Sequence, residues 1–361
     1  MQVHEIKVKV QEFKVQWSSC RFINMKEAQY WKQQDKTKNS VLCGLCPHGC
    51  VIFPEKFGIC GARKNISGKL FSLSYNEVTA LNLDPIEKKP LYHFFPGSKI
   101  LSVGSFGCNF KCSFCQNWEI SQSGYGEVPA KIITPAEIVE RALDADSIGI
   151  AYTYNEPLMN YEWVKDASKL ARQAGIVNVL VTNGYINHEP LAELVPLIDA
   201  ANVDIKGFTE GFYNKLCKGR LSPVLETVKT MAENGVHVEI TTLLIPGEND
   251  SPAELEKLVG WISEVNPEMP LHFSRYFPSY NMETDPTAPG ILEQAWKTAK
   301  KKLKHVYVGN IDFPHYSKTF CSSCENALIE RNGYNVKMPG IKDGLCAKCG
   351  RAVKIKMQNV K

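Results

Sequence analysis

The chain has 361 residues, of which 44% are hydrophobic and 22% are charged. These values are typical of a globular protein and exclude a disordered, collagen-like or coiled-coil chain. The formal charge of +4 is too small to favour a protein that binds nucleic acid mainly through its phosphates. No apolar run reaches the roughly 20 residues that span a bilayer, and the N-terminus lacks the apolar core of a signal peptide. We therefore expect a cytoplasmic protein that does not contact membranes.

The thirteen cysteines are the unusual feature of the composition. An odd number of cysteines without a signal peptide indicates metal ligation in a reducing compartment rather than disulfide bonds. Only Cys20 and Cys217 stand alone, and we expect both to be buried small side chains. The other cysteines form three groups: Cys43, Cys46, Cys50 and Cys60; Cys108, Cys112 and Cys115; and Cys321, Cys324, Cys346 and Cys349. The sequence therefore predicts three metal sites.

The first region, residues 1–97, combines a strand-like alternation at Ile6, Val8 and Val10 with a loop-rich cysteine segment. Glycines between Cys43 and Cys60 allow the sharp turns that a metal site needs. Four thiolates satisfy a zinc ion or a second [4Fe–4S] cluster equally well. Between these two alternatives we slightly favour zinc, which would hold the segment together.

From Lys99 onward, short apolar strands alternate with helical segments. The predicted strands are Ile100–Val103, Ser147–Tyr152, Asn178–Val181, Ala201–Ile205, His237–Leu244, Leu271–Tyr276 and His305–Val308. The predicted helices are those after the capping residues Thr134 and Ser251 and those near Tyr161–Ala174, Glu189–Ile198, Pro223–Asn234 and Gly290–Leu303. This alternation predicts a parallel sheet covered by helices. Without a glycine-rich dinucleotide fingerprint, a complete or partial barrel is favoured, with its chemistry at the carboxyl ends of the strands. This barrel would occupy residues 98–312.

The tail, residues 313–361, carries two Cys-x2-Cys pairs. The spacing of Cys321 and Cys324, followed by Cys346 and Cys349, predicts a zinc ribbon. We expect a structural role for the zinc, because a module this small cannot bury enough core without a metal. Docking of nucleic acid or of a partner is the alternative. That alternative depends on the basic and aromatic residues Arg331, Tyr334, Lys337 and Lys342.

The central cysteines follow the first predicted barrel strand in a Cys108-x3-Cys112-x2-Cys115 pattern. Three thiolates can hold three irons of a [4Fe–4S] cluster and leave the fourth iron without a protein ligand. A structural zinc site needs four ligands, and no fourth cysteine or histidine follows nearby. A zinc site completed from a distance, or a set of buried thiols, is the alternative interpretation. An open iron would make the cluster a catalyst rather than an electron carrier.

This spacing resembles the radical SAM superfamily, in which an aromatic residue, here Phe114, precedes the last cysteine. The resemblance implies an α/β fold with a partial (β/α)6 TIM-like barrel. It also implies that S-adenosylmethionine (SAM) binds the open iron through its amino and carboxylate groups. One electron then cleaves the sulfonium, and the 5′-deoxyadenosyl radical abstracts hydrogen from a substrate.

The strand ends carry further residues of the resemblance. Glu156 and Asn155 stand where the superfamily has Gly-Gly-Glu-Pro, which implies that Glu156 accepts the SAM ammonium. Asn183, in Thr-Asn-Gly, and Asp204, in Asp-Ile-Lys, resemble segments of the pyruvate formate-lyase activating enzyme subgroup. Those activases place an acidic residue just before Thr-Asn-Gly, where this chain has Val181. Because of this departure, the resemblance does not extend to the cation site or to the activase reaction of that subgroup.

Other candidate pocket residues follow from strand geometry. Residues two apart project to the same strand face, so Asp204 and Lys206 can pair or jointly bind a carboxylate, unless they form only a structural ion pair. Polar groups facing a barrel interior are costly unless they are used or paired. On that ground Glu239, His272 and Ser274 are further candidates for the pocket.

Over nearly its whole length the sequence resembles the radical SAM enzymes of the AmmeMemoRadiSam system. The shared segments are Cys-Gly-Leu-Cys-Pro-His-Gly-Cys, the central cysteine motif, Tyr-Asn-Glu-Pro, Asp-x-Lys and the ribbon. The resemblance implies an external electron donor and Memo-like and AMMECR-like protein partners. We predict hydrogen abstraction from a protein or another large substrate. The alternatives are a non-catalytic iron–sulfur or zinc scaffold that carries electrons, and a ribbon-led nucleic-acid-modifying enzyme.

Overall fold

The computed structural model describes residues 25–311 and 313–357. The predicted strand at Ile6, Val8 and Val10 and the lone Cys20 lie outside these residues. Within them, none of the helices combines the length and the apolar character needed to cross a membrane. The cysteines of the described residues are free thiols in the structure.

The N-terminal region consists of short strands. They are β1 (Lys26–Glu27), β2 (Trp31–Asp35), β3 (Ser40–Cys43), β4 (Val51–Ile52), β5 (Arg63–Ile66), β6 (Lys69–Ser72), β7 (Glu77–Val78) and β8 (Ala80–Pro85). Strands β1, β6 and β5 form one antiparallel sheet, and β2, β3 and β4 form another. The first four clustered cysteines lie on and between these strands.

The strands of the central region extend the fold. They are β9 (Lys99–Gly104), β10 (Lys131–Ile132), β11 (Gly149–Tyr152), β12 (Val177–Thr182), β13 (Ala200–Asp204), β14 (His237–Leu244), β15 (Leu271–Arg275) and β16 (Val306–Gly309). All except β10, which pairs with β7, join one sheet in the order β16-β15-β14-β13-β12-β11-β9-β8. Seven strands of this sheet are parallel, and β8 pairs antiparallel with β9 at the edge.

The topology of this main sheet differs from the expectation in two ways. Its seven parallel strands do not confirm a six-unit barrel, because β16 adds one strand at the edge. The sheet also crosses the expected boundary at residue 97, since β8 belongs to the N-terminal region and lies beside β9. Antiparallel pairing needs only a short connection between strands, so β8 can close the sheet edge without a crossover helix.

Helices cover the main sheet. They are α1 (Trp118–Ser121), α2 (Pro135–Asp144), α3 (Tyr161–Gln173), α4 (His188–Leu194), α5 (Glu210–Phe212), α6 (Ser222–Glu233), α7 (Pro252–Val265) and α8 (Pro289–Lys300). Both predicted helix starts are confirmed, since Thr134 caps α2 and Ser251 caps α7 through their hydroxyl groups. In α2 the cap is reciprocal, because the Glu137 carboxylate accepts the backbone N–H of Thr134 at 2.7 Å.

The core lies between the sheet and these helices. Strand β11 is buried along its whole length, as expected for a parallel strand covered on both faces. Ile138 of α2 and Ile262 of α7 are fully buried. Each such side chain contributes about 1.5–3 kcal/mol relative to an exposed one. This packing fixes the carboxyl ends of the parallel strands at one edge, where the candidate site lies.

The tail has its own small strands and is joined to the rest of the chain. The strands are β17 (Thr319–Phe320), β18 (Ala327–Asn332), β19 (Asn335–Lys337), β20 (Ile341–Lys342) and β21 (Leu345–Cys346). Lys356 pairs with the segment around Phe94, and its carbonyl accepts the Phe95 N–H at 2.7 Å. The tail is therefore attached to the residues between β8 and β9.

Candidate active site and metal centres

A cavity of about 870 Å³ opens at the carboxyl ends of the parallel strands. Its lining includes the predicted residues Cys108, Cys112, Phe114, Cys115, Asn155, Glu156, Asn183, Asp204, Lys206, His272 and Ser274. The structure thus brings together all predicted site residues of the central region except Glu239. This is the edge of the sheet at which parallel α/β proteins bind their ligands.

The loop that carries the three central cysteines, residues 104–117, leaves β9 at this edge. The backbone N–H groups of Lys111 and Ser113 donate to the carbonyls of Cys217 (2.8 Å) and Leu216 (3.1 Å). Phe110, which belongs to this loop, is fully buried. These contacts fix the backbone on which the cysteines lie.

The surroundings of the central thiols oppose their ionisation. Burial raises the pKa of the Cys108 and Cys115 thiols, and a hydrogen bond with Cys217 followed by burial raises the pKa of Cys112. A bound metal ion displaces such protons, so metal binding and deprotonation are coupled. The three thiols are also too far apart for a compact zinc site, because their sulfurs are not all within 4.8 Å of one another. A polyatomic cluster fits this spacing better than a single ion.

Two asparagines hold the cysteine loop in place. The side-chain amide of Asn183 donates to the Cys108 sulfur at 3.6 Å and to Asn109 Oδ1 at 2.9 Å. Asn155 accepts the Ser105 N–H at 3.0 Å and donates to the carbonyl of Gly107 at 2.9 Å. The ends of β11 and β12 are therefore tied to the cysteine loop.

Glu156 is buried at the cavity wall. Its carboxylate accepts the Thr182 hydroxyl (2.7 Å) and the backbone N–H groups of Leu158 (3.1 Å) and Asn183 (2.8 Å). Burial raises the pKa of Glu156 to about 7, although these hydrogen bonds oppose the increase. A cationic ligand group would stabilise the ionised carboxylate.

Asp204 and Lys206 form an ion pair that faces the cavity. Lys206 Nζ lies 2.6 Å from Asp204 Oδ2, which confirms the predicted pairing. Burial opposes the charge of Lys206, but the Asp204 carboxylate holds the pKa of this lysine above its usual value. The ammonium retains further N–H donors for a ligand carboxylate.

Glu239 does not line the cavity, which corrects the prediction for this residue. Its carboxylate accepts His237 Nε2 at 2.9 Å, His272 Nε2 at 2.6 Å, and the backbone N–H groups of Tyr92 at 3.0 Å and His93 at 2.7 Å. Burial opposes its charge, but hydrogen bonds from the two histidines hold the pKa of Glu239 well below its usual value. Glu239 is therefore an internal anchor that positions His272 at the cavity.

The sequence did not predict one wall of the cavity. Asp84, at the end of β8, accepts hydrogen bonds from Lys89 Nζ at 2.7 Å and from the Tyr154 hydroxyl at 2.6 Å. Tyr154 has a φ of 74°, a strained value for a residue with a side chain. Its sequence signal was its place in the Tyr-Asn-Glu-Pro segment, beside Asn155. Lys89 and Tyr154 line the cavity.

The tail also contributes to the cavity wall. Arg331 is 2% exposed, donates to the carbonyl of Tyr92 at 2.7 Å and lies 4.1 Å from the centre of the Tyr92 ring. Arg331 and Tyr334 line the cavity. Because Arg331 is buried, it cannot serve as the exposed nucleic-acid contact considered from the sequence. It instead joins the tail to the candidate site.

The four tail cysteines form a compact group. Their sulfurs all lie within 4.8 Å of one another, with Cys321 3.7 Å from Cys349 and Cys324 3.7 Å from Cys346. A zinc ion holds four sulfurs at about 2.3 Å, which places them about 3.8 Å apart. The tail group can therefore hold a single tetrahedral metal ion.

The four N-terminal cysteines are arranged differently. They line a small cavity of about 10 Å³ together with other side chains, among them Arg63 and Met159. Among the described residues, only the tail cysteines form a group of at least three metal-binding side chains with all ligand atoms within 4.8 Å. The N-terminal sulfurs are therefore spaced more widely than the tail sulfurs.

Comparison with known proteins agrees with the motif and its position. A family model described as the radical SAM superfamily matches residues 102–259. An uncharacterized protein of Methanocaldococcus jannaschii, MJ0808, is 42% identical over 336 residues, which cover 92% of this chain and 99% of that protein. The pyruvate formate-lyase 1-activating enzyme of Escherichia coli K12 is 25% identical over 167 residues, 45% of this chain and 68% of that enzyme. A crystal structure of a radical SAM methyltransferase from Sphaerobacter thermophilus has a TM-score of 0.46 at 15% identity, covering 79% of this chain and 76% of that one.

Proposed function

The chain belongs to the radical SAM superfamily, and from this premise we propose that Cys108, Cys112 and Cys115 bind a [4Fe–4S] cluster at the large cavity. Membership makes the protein an enzyme of SAM-dependent radical chemistry. The observation that carries the proposal is the position of the three thiols, which line one 870 Å³ cavity at the carboxyl end of β9. When bound, the cluster would supply the electron that cleaves SAM to methionine and a 5′-deoxyadenosyl radical, and that radical would abstract hydrogen from the substrate.

The residues around the cysteines have separate tasks in this proposal. Asn183 donates to the Cys108 sulfur and so orients one ligand. The buried carboxylate of Glu156 faces the cavity and is the acceptor for the SAM ammonium. Lys206, held in place by Asp204, offers N–H donors to a ligand carboxylate. The buried walls of the cavity limit the access of water to reactive species.

We also propose that the substrate is a protein or another large molecule. Pockets that enclose a drug-sized ligand have volumes of about 300–1,000 Å³. The cavity therefore has room for SAM and for a single reacting group beside it, rather than for a whole large substrate. Tyr334 and Phe313, both at least half exposed at the cavity, offer apolar contacts for the rest of such a substrate.

The tail and the partners complete this proposal. A zinc ion at the four tail cysteines would hold the module in which Arg331 contributes to the cavity wall. An external one-electron donor reduces the cluster. Memo-like and AMMECR-like proteins are the proposed partners in an AmmeMemoRadiSam system, as implied by the sequence resemblance.

The test is anaerobic release of 5′-deoxyadenosine from SAM by the reconstituted enzyme with a low-potential reductant. We expect release by the wild-type enzyme and only background release by Cys112→Ala, because that variant loses one cluster ligand. Ser113→Ala, which changes a neighbouring side chain in the same loop, is the matched control. A cluster whose spectrum does not respond to added SAM would instead support the scaffold alternative. Binding of RNA or DNA that weakens steeply with salt would support the nucleic-acid alternative.

A further inference from the structure

We propose that the four N-terminal cysteines bind an iron–sulfur cluster rather than a zinc ion. The ligands would be Cys43, Cys46, Cys50 and Cys60. The proposal is independent of the central cysteines, because these four side chains line a separate cavity. It also reverses the slight preference for zinc that the sequence suggested.

The first argument is the separation of the sulfurs. In a zinc site the four sulfurs lie about 3.8 Å apart, as the tail sulfurs do at 3.7 Å. The N-terminal cysteines do not provide even three sulfurs that all lie within 4.8 Å of one another, within the part of the chain that the structure describes. Each cysteine thiolate of a [4Fe–4S] cluster binds a different iron. The cysteine sulfurs must therefore lie farther apart than they do around one zinc ion.

The second argument is the burial of the cysteines. They line a small internal cavity together with apolar side chains, among them Ile52 and Met159. Cys43, Cys46 and Cys60 are all at most 7% exposed, so the site is largely shielded from solvent. Four thiolates in such a site can bind an iron–sulfur cluster, whose properties depend on its exposure to solvent.

The third argument is a buried arginine in the cavity wall with one unpaired N–H group. Arg63 is 1% exposed, and one terminal nitrogen donates to the carbonyl of Gln29 at 2.8 Å and lies 4.0 Å from the Cys43 sulfur. The other terminal nitrogen lies 2.5 Å from the Glu162 carboxylate. Arg63 Nε has no hydrogen-bond partner. Such a buried donor costs about 1–3 kcal/mol unless it finds an acceptor. The sulfurs of an anionic cluster bound in this cavity would offer one.

The cavity lies directly behind the loop of the central cysteines. The carbonyl of Cys60 approaches Gly107 so closely that a Cβ atom there would lie 2.4 Å from its oxygen. His48 Nε2 hydrogen-bonds to the carbonyl of Asn109 at 2.8 Å. The two thiol groups are therefore separated by packed backbone, which allows each to hold its own metal centre.

The decisive experiment removes the central site and keeps the N-terminal one. The full-length variant with Cys108→Ala, Cys112→Ala and Cys115→Ala is purified and reconstituted anaerobically with iron and sulfide. We expect it to retain about four irons and about four sulfides per chain, with a Mössbauer spectrum of a [4Fe–4S] cluster and about one zinc at the tail. A variant that contains no iron and about two zinc ions would overturn the proposal.

The wild-type protein separates this proposal from the proposed function. About eight irons in the wild type and four in the triple variant support both proposals. Four irons in each would support the N-terminal cluster and contradict the cluster at the central cysteines. Four irons in the wild type, none in the triple variant and two zinc ions in both would contradict only the N-terminal cluster.

A reciprocal variant gives an independent readout. Cys46→Ala combined with Cys60→Ala is expected to lose about four of about eight irons and to keep about one zinc. The retained tail zinc shows that the chain has folded. Loss of one zinc with no loss of iron would assign zinc to this cavity and overturn the proposal.

Discussion

The tail and the N-terminal region each carry four cysteines, yet they hold the sulfurs differently. In the tail, one Cys-x2-Cys turn lies between β17 and β18, and the other begins at the end of β21. Sulfurs from these two turns lie 3.7 Å apart. In the N-terminal region, one turn carries Cys43, Cys46 and Cys50, whereas Cys60 comes from a separate turn. The number of cysteines therefore does not determine the metal. The backbone between the cysteines sets how far apart the sulfurs lie.

The two groups also differ in what supports them. The tail group belongs to a small core with Leu328 and Ile329, so the metal must supply much of its stability. Three of the four N-terminal cysteines belong to the large core of the chain and are buried in it. Loss of metal should therefore affect the fold of the tail more than that of the N-terminal region.

The largest expected effect is at the tail. Cys321→Ala with Cys346→Ala should remove about one zinc, and structural zinc contributes on the order of 10 kcal/mol to such small modules. We expect amide hydrogen exchange in β18 to accelerate at least about a hundredfold, measured by mass spectrometry.

Ser322→Ala is the matched control, because this exposed residue lies between two of the cysteines. It should leave both the zinc content and the exchange rates unchanged. If the cysteine variant lost zinc but kept its protection in β18, the tail would be stable through its contacts with the rest of the chain. The contrast in stability between the two cysteine groups would then be wrong.

The sequence predicted the repeating part of the fold well. Strand β14 has the predicted bounds, and the other parallel strands differ from their predictions by at most two residues at either end. These elements are governed by local rules, since apolar runs form buried strands and Ser or Thr before Pro begins a helix. The cavity lining was also predictable, because the carboxyl ends of parallel strands share one edge.

Contacts between distant parts of the chain could not be predicted in this way. The alternation of side chains along β14 correctly predicts that Glu239 faces inward. It does not show that Tyr92 and His93, almost 150 residues away, supply two of its hydrogen bonds. The burial of Arg331 likewise depends on Tyr92, 239 residues away. A single sequence shows the hydrophobic periodicity of a helix or strand, but not which distant residues pack against it.

A smaller effect is expected where the N-terminal cavity meets the central loop. Gly107 has a φ of 83°, and a Cβ atom there would lie 2.4 Å from the Cys60 carbonyl oxygen. Gly107→Ala should lower the free energy of unfolding by about 3 kcal/mol, from backbone strain and overpacking together. Urea denaturation of the anaerobic protein measures this loss.

Gly247→Ala separates the two contributions. This glycine has a similar φ of 77°, but nothing lies within 4 Å of the Cβ position. Gly247→Ala should lower the free energy of unfolding by only about 1 kcal/mol, from backbone strain. If both variants lowered the free energy of unfolding equally, the Cys60 turn would move aside at little energetic cost. The N-terminal cysteine region and the central loop would then not be rigidly packed against each other.

The smallest expected effect distinguishes a ligand cysteine from a neighbouring one. Cys217 is fully buried and raises the pKa of the Cys112 thiol, but it comes from the turn after α5 rather than from the central motif. Cys217→Ala should leave the iron content unchanged and lower the free energy of unfolding by about 1 kcal/mol. Cys115→Ala should instead remove about four irons. An equal loss of iron in Cys217→Ala would make Cys217 a cluster ligand, and the central site would then no longer offer an open iron.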